Sequence, residues 1–169
     1  MPFFSIIIPT YNSEQIISRC LASVLSQKFD DFELIIIDGS SSDKTIPLVK
    51  HIVANKPGLL HTIVSEKDNG IYDAMNKGAD RANGQWLYFL GSDDEFVNDE
   101  VLSAVYNYLV KNPHRDFFYG NVLLRSSGKR YAGRFDMRRL MIVNICHQAL
   151  FVSKRTFLEL GPFNTRYTL

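Results

Sequence analysis

Three adjacent carboxylates, Asp93, Asp94 and Glu95, follow an apolar run over residues 86–90, with only Gly91 and Ser92 between. Clustered hard oxygens of this kind suit Mg²⁺ or Mn²⁺ held together with substrate phosphates. The same residues could equally form an acidic turn that caps a helix starting near Asp99, and this stretch alone leaves both readings open. Polar groups recur after three earlier apolar runs: Pro9, Thr10, Tyr11 and Asn12; Asp38 and Ser40; Asp68 and Asn69. An aromatic ring beside a carboxylate can bind a nucleobase, with Tyr11 stacking and Asp38 accepting from base N–H or ribose hydroxyls. Each group also has a plainer role. Tyr11 could pack on the core edge, Asp38 could cap the loop through Ser40, and Asp68 could start a turn. Asp43 reads as the N-cap of the second helix. Asn76 could face the site from the third helix, where Lys77 reads as a solvated charge. His147, beside Gln148, is either a structural histidine or a further ligand for phosphate or metal.

The elements that must position these groups alternate. Residues 4–9, 32–37, 60–66 and 86–90 read as strands, the first ended by Pro9. Between them, apolar residues recur at helical spacing after a cap at Asn12 or Ser13, over 45–54 and over 71–82, and a fourth helix runs over 99–110. Such alternation predicts an α/β fold with a mostly parallel sheet, flanking helices and right-handed crossovers. All four polar loops then share the carboxyl rim, where open α/β sheets bind ligands. After residue 112 the pattern changes. Residues 117–124 and 129–135 read as a β-hairpin around Ser126-Ser127-Gly128, 137–145 stay ambiguous, and 147–152 read as a strand followed by a short helix capped by Ser153.

At 169 residues the chain makes one domain, 1–169, with the alternating α/β pattern over 1–112 and a different pattern over 113–169. A net charge of +1 gives no general drive toward nucleic acid. The two cysteines are far apart, and Cys20 falls on a helix's apolar stripe, so a free buried thiol and a cytosolic setting are expected. No P-loop, G-x-G-x-x-G turn, serine-hydrolase elbow or His/Cys zinc cluster is present.

The ordered segments SIIIPTYN, ELIIIDGSSSDKT, SEKDNGIYDAMNKG, WLYFLGSDDE and CHQALFVSKRTFLELGPFN resemble the catalytic domain of glycosyltransferase family 2, over nearly the whole chain. The nearest likeness is to bacterial enzymes that build O-antigen, capsule or other surface polysaccharides. The resemblance implies a GT-A (Rossmann-like) fold, a nucleotide-diphosphate sugar donor, Mn²⁺ or Mg²⁺, and inverting transfer to a saccharide or lipid-linked acceptor. It implies nucleotide contacts from Pro9, Tyr11, Asn12, Asp38, Ser40, Asp68, Asn76 and Asp93, and metal contacts from Asp93 and Asp94, with His147 a further candidate. Which of the two aspartates ligates stays open, and Gly91 stands where many relatives carry Asp or Asn. The family's catalytic base falls beyond Leu169, so no catalytic base is expected within the chain. The expectation is the amino-terminal part of a longer protein, peripheral to the inner membrane face, that binds donor and transfers sugar poorly. The alternatives are a nucleotide-sugar binding module without catalysis and, less well matched, a sugar-phosphate nucleotidylyltransferase, whose Gly-rich phosphate loop is missing.

Overall fold

A computed structural model describes residues 1–131, 133, 135–143 and 145–166, without the side chains of Met137, Leu140 and His147. Strand β1 (Phe4–Thr10) and strand β2 (Phe32–Asp38) are buried at every residue. Near-continuous Ile-rich runs of this kind suit central parallel strands covered on both faces. β1 pairs in parallel with β2 on one side and with β4 (Trp86–Phe89) on the other, and β2 pairs in parallel with β3 (Leu60–Ser65). Two antiparallel strands extend the sheet: β8 (Leu150–Ser153) against β4, and β5 (Phe117–Tyr119) against β8. The order β3-β2-β1-β4-β8-β5 turns back between β1 and β4, and that switch point opens the ligand crevice of such sheets.

Helices cover both faces. On one, α1 (Ile17–Leu25), α2 (Thr45–Ala54) and α4 (Val101–Lys111) pack over Phe4, Ile6, Ile8, Leu34 and Ile36. On the other, α3 (Ile71–Arg81) and α6 (Lys154–Leu160) pack over Ile7, Ile35, Ile37 and Leu87. The alternation of Ile6, Ile7 and Ile8 between the two cores follows from the two-residue period of a strand. α3 lies so close that a Cβ on Gly78 would stand 2.3 Å from Ile7 Cγ2. Along the chain, a separate ribbon, β6 (Val122–Leu123) with β7 (Arg130–Tyr131), and a short helix α5 (Met137–Leu140) connect β5 to β8. No helix among the described residues is long and apolar enough to cross a membrane.

The expected alternation is present, with four corrections. The hairpin is only the β6–β7 ribbon; residues 117–119 leave it to pair with β8, where Phe118 packs on Phe151. Residues 147–149 form a 3₁₀ turn before the strand expected from 147. α1 starts at Ile17 without a side-chain cap, because Ser13 offers its carbonyl to Ile16 and Ile17 and turns its hydroxyl elsewhere. α2 likewise lacks a side-chain cap at Lys44, although Asp43 just ahead accepts from the Thr45 N–H. Ser153 does cap α6, accepting from Thr156 N.

Candidate functional site

Thr10, Asp38 and Ser65 are register partners at the carboxyl ends of three adjacent strands. Asp38 is fully buried and committed to the loop beyond it. Its Oδ2 accepts from Ser41 N at 3.0 Å and Ser65 Oγ at 2.6 Å, and its Oδ1 accepts from the Ser41 hydroxyl.

That loop is interlocked with the one after β1. Asn12 N donates to Ser41 Oγ, and Asn12 Oδ1 accepts from Ser42 N. Glu14 N donates to Asp43 Oδ2, Lys44 N donates to Glu14 Oε2, and Ser13 N donates to Thr45 Oγ1. Two residues here, Asn12 (φ 46°) and Ser40 (φ 65°), adopt left-handed backbone, a strain held in place by these bonds. The Ser13 hydroxyl then reaches across the crevice to Ser92 Oγ at 3.0 Å. The loops after β1, β2 and β4 are thereby one connected unit.

The acidic loop after β4 lies along α1, with the Cys20 thiol on the Gly91 carbonyl, Phe96 N on Ser23 Oγ and Gln27 Nε2 on the Asn98 carbonyl. A Cβ built on Gly91 would stand 2.8 Å from both Asp93 Oδ1 and Asp94 Oδ2. The two carboxylates therefore converge over the bare Cα, and a larger residue at position 91 would have them shift. Their field is felt inside the core. Burial, reinforced by Asp94, Asp93 and Glu95, pushes the Cys20 thiol up to about 12. Burial and then Asp94 raise the Tyr88 hydroxyl as well, which donates to the Gln148 carbonyl. Among the described residues no three of His, Cys, Asp and Glu gather as a metal cage. Two convergent carboxylate oxygens fit a hard divalent ion that completes its shell with waters and substrate phosphates.

Beneath these loops lies a cavity of about 480 Å³, walled by Pro9, Thr10 and Tyr11, by Gly39, by Lys67 and Asp68, by the start of α3 and by Ser92. Tyr11, 63% exposed, stands free at its rim instead of packing on the core. Of the residues expected to hold nucleotide, Pro9, Tyr11 and Asp68 line the cavity and Asn12 and Ser40 stand in the interlocked loops beside it. Asp38 is sealed beneath. Asn76 is drawn away: its amide exchanges two hydrogen bonds with the backbone of Phe163, at 2.9 and 2.8 Å. The side chain of His147 lies outside the described residues. Lys77 is not a solvated charge but a half-buried brace, donating to the Lys67 carbonyl and pairing with Glu66 and Asp73. Thr10, one of the polar residues expected after the first strand, lines the cavity, and its Oγ1 is the one buried side-chain polar atom among the described residues with no hydrogen-bond partner.

Residues 5–159 match the family described as glycosyl transferase family 2. A PGL/p-HBAD biosynthesis glycosyltransferase of Mycobacterium bovis (strain BCG / Pasteur 1173P2) is 42% identical over 167 residues, covering 98% of this chain and 65% of that protein. The chain thus spans just under two thirds of the length of that relative. Among solved structures, mannosyltransferase PcManGT from Pyrobaculum calidifontis, in complex with GDP-Man and Mn²⁺, superposes with a TM-score of 0.79 at 20% identity, over 97% of this chain and 48% of that one. S. aureus TarS 1–349 in complex with UDP-GlcNAc gives a TM-score of 0.76 at 22% identity, over 94% and 47%. Both likenesses establish the fold.

Proposed function

The chain belongs to glycosyltransferase family 2, and from that premise we propose that it binds a nucleotide-diphosphate sugar and serves inverting transfer of the sugar to a saccharide or lipid-linked acceptor. The observation that carries this reading is the joining of three strand-end loops beside one cavity, with the exposed ring of Tyr11 and Ser92 on its wall and the Asp93 and Asp94 carboxylates following Ser92 in the chain. An aromatic ring for a base and carboxylates for a phosphate-bound divalent ion suit a nucleoside diphosphate. Tyr11 stacks on the base, Asn12 and Ser40 shape the ribose side, and Asp93 and Asp94 stand where the diphosphate ends. Asp93 and Asp94 are the residues that would hold Mg²⁺ or Mn²⁺. When bound, such an ion offsets the negative charge that builds on a leaving diphosphate.

Inversion requires the acceptor hydroxyl to attack the anomeric carbon from the face opposite the diphosphate, in one displacement. The chain's own part is to fix the donor in that orientation. The Ser13–Ser92 link sets the distance between base and diphosphate, and the Asp43–Glu14 exchange holds the first two loops at one spacing. The acceptor's proton passes to a carboxylate that the family pattern places after the Gly-Pro-Phe-Asn segment. In the whole protein we place this chemistry at the inner membrane face, in assembly of a surface glycan.

Calorimetric titration with UDP, GDP, dTDP and CDP, with and without Mn²⁺, tests the reading. Mn²⁺-dependent binding of one diphosphate, lost in Asp93→Ala or Asp94→Ala, is the expected result. Failure to bind any of the four would sink it.

A further inference from the structure

We propose that the β6–β7 ribbon and the segment through α5 to residue 142 form a docking surface for an anionic lipid bilayer. Leu123, Leu124, Met141 and Ile142 enter the interface, and Lys129, Arg130 and Arg138 meet the headgroups. The inference rests on the membrane-face placement above and names the part of the chain that makes the contact.

Three observations converge. The first is charge. Residues 120–143 hold six of the 19 Lys and Arg and one of the 18 Asp and Glu. That stretch therefore carries +5 and the rest of the chain −4, an asymmetry that the net charge of +1 conceals. Anionic lipid attracts a polybasic segment and repels an acidic remainder, which orients the chain on the surface. Lys129, Arg130 and Arg138 are exposed and form no ion pair among the described residues.

The second is exposed aliphatic surface in the same stretch. Met141 and Ile142 are 83% and 84% exposed, and Leu123 and Leu124 are exposed on the ribbon. Leu123 and Arg130 are register partners in an antiparallel pair, so an apolar and a basic side chain share one face. A nucleic acid would use the cations and leave the four aliphatic groups in water. A bilayer interface uses both.

The third is placement. β5 and β4 are each antiparallel to β8, so β5 runs in the direction of β4 and the ribbon after it leaves from the carboxyl rim. Arg125 on that ribbon pairs at 2.7 Å with Glu95, the neighbour of Asp94. Phe135 ties the ribbon to α5. Its ring meets Tyr119 at 5.5 Å and Tyr131 at 6.3 Å, its N–H donates to the Tyr119 hydroxyl, and Arg139 lies over its face at 4.4 Å. A bilayer held here lies beside the acidic loop, where a lipid-linked hydroxyl reaches the site without leaving the membrane surface.

The test is co-sedimentation of the 169-residue chain, without nucleotide, with phosphatidylcholine vesicles and with vesicles that also contain phosphatidylglycerol. Binding only to the anionic vesicles, weakened by salt, is expected. Replacing Lys129, Arg130 and Arg138 together by Gln lowers it roughly 100-fold, at about fivefold for each basic residue near the surface. Met141→Ser with Ile142→Ser lowers it about tenfold or more at an unchanged melting temperature. Lys111→Gln, on α4, leaves it as it was. No binding to anionic vesicles overturns the inference, as does binding that both multiple variants keep while folded. Self-association through Met141 and Ile142, or uptake of RNA in place of vesicles, overturns it as well. Diphosphate binding without vesicle binding removes this inference alone; vesicle binding without diphosphate binding removes only the donor reading.

Discussion

The two ends of the sheet use the same ingredients to opposite effect. At the amino edge, Glu33 is 6% exposed and its carboxylate is surrounded: Ser5 Oγ donates at 2.6 Å, Gly84 N at 3.1 Å, and Asn83 through both its N–H and its side-chain amide. Gly84 also donates to Ser5 Oγ, and a Cβ there would lie 2.6 Å from Ser5 N, so the turn between α3 and β4 is clamped onto β1. At the carboxyl edge, Thr10 Oγ1 and Asp68 Oδ2 have no hydrogen-bond partner among the described residues, and Asp93 and Asp94 converge on an open Cα. A saturated network specifies structure. An unsaturated one, held rigid by saturated neighbours, is where a ligand completes the bonding.

Breaking the amino-edge clamp has the largest expected effect. Glu33→Ala removes the acceptor shared by Ser5, Asn83 and Gly84, and a loss of about 1–3 kcal/mol is expected in denaturant titration, with the base preference unmoved. The carboxyl edge reverses that signature. Asp93→Asn and Asp94→Asn each lower Mn²⁺-dependent diphosphate affinity about tenfold or more, while folding stability stays within about 0.5 kcal/mol or rises as like charges separate. Parallel binding and melting measurements on the three variants draw the contrast directly.

Acid sharpens it further. Desolvation alone would raise the Asp43 carboxyl, but hydrogen bonds from the Thr45 hydroxyl and from the N–H groups of Thr45 and Glu14 outweigh it and hold the carboxyl below its ordinary 3.8. A carboxyl lowered by folding stabilises the fold above its ordinary value, and that contribution disappears as pH falls through the lowered one. Below about pH 4 the lock between the first two loops should loosen, and Asp43→Asn should flatten this part of the acid limb of diphosphate affinity. The smallest expected effect is chemical. With its thiol raised from an ordinary 9.0 to about 12, Cys20 should resist alkylation at pH 8 until the protein unfolds, as followed by mass spectrometry in rising denaturant.

Local signals made much of the fold legible. The Ile-rich runs of β1 and β2 and the helical spacing on α1 and α3 are properties of contiguous residues, and they placed four polar loops on one rim. The pairing of residues 117–119 with 150–152 was not legible, since nothing within either segment encodes a partner some thirty residues away. The site divides in the same way. Adjacent carboxylates announce themselves at Asp93 and Asp94. The different fates of Asp38 and Asp68 depend on which neighbours fold over them, and a motif records only that both are aspartates. Thr10 is legible only as one of the polar residues after the first strand, and that its hydroxyl lacks a partner among the described residues is a property of the folded chain. Lys77 reads as any surface lysine until the turn at residues 66–70 folds onto it.

The strand order also fixes a schedule. β1 is synthesised before its second neighbour, β4, which follows about 80 residues later. At about 5–20 residues per second, the central strand waits roughly 4–16 s with one edge unpaired. Through that interval Phe4-Ser-Ile-Ile-Ile has β-branched apolar side chains and open backbone to offer any passing strand. Nascent chains halted before residue 86 should therefore depend on chaperones, and those carried past residue 89 should not.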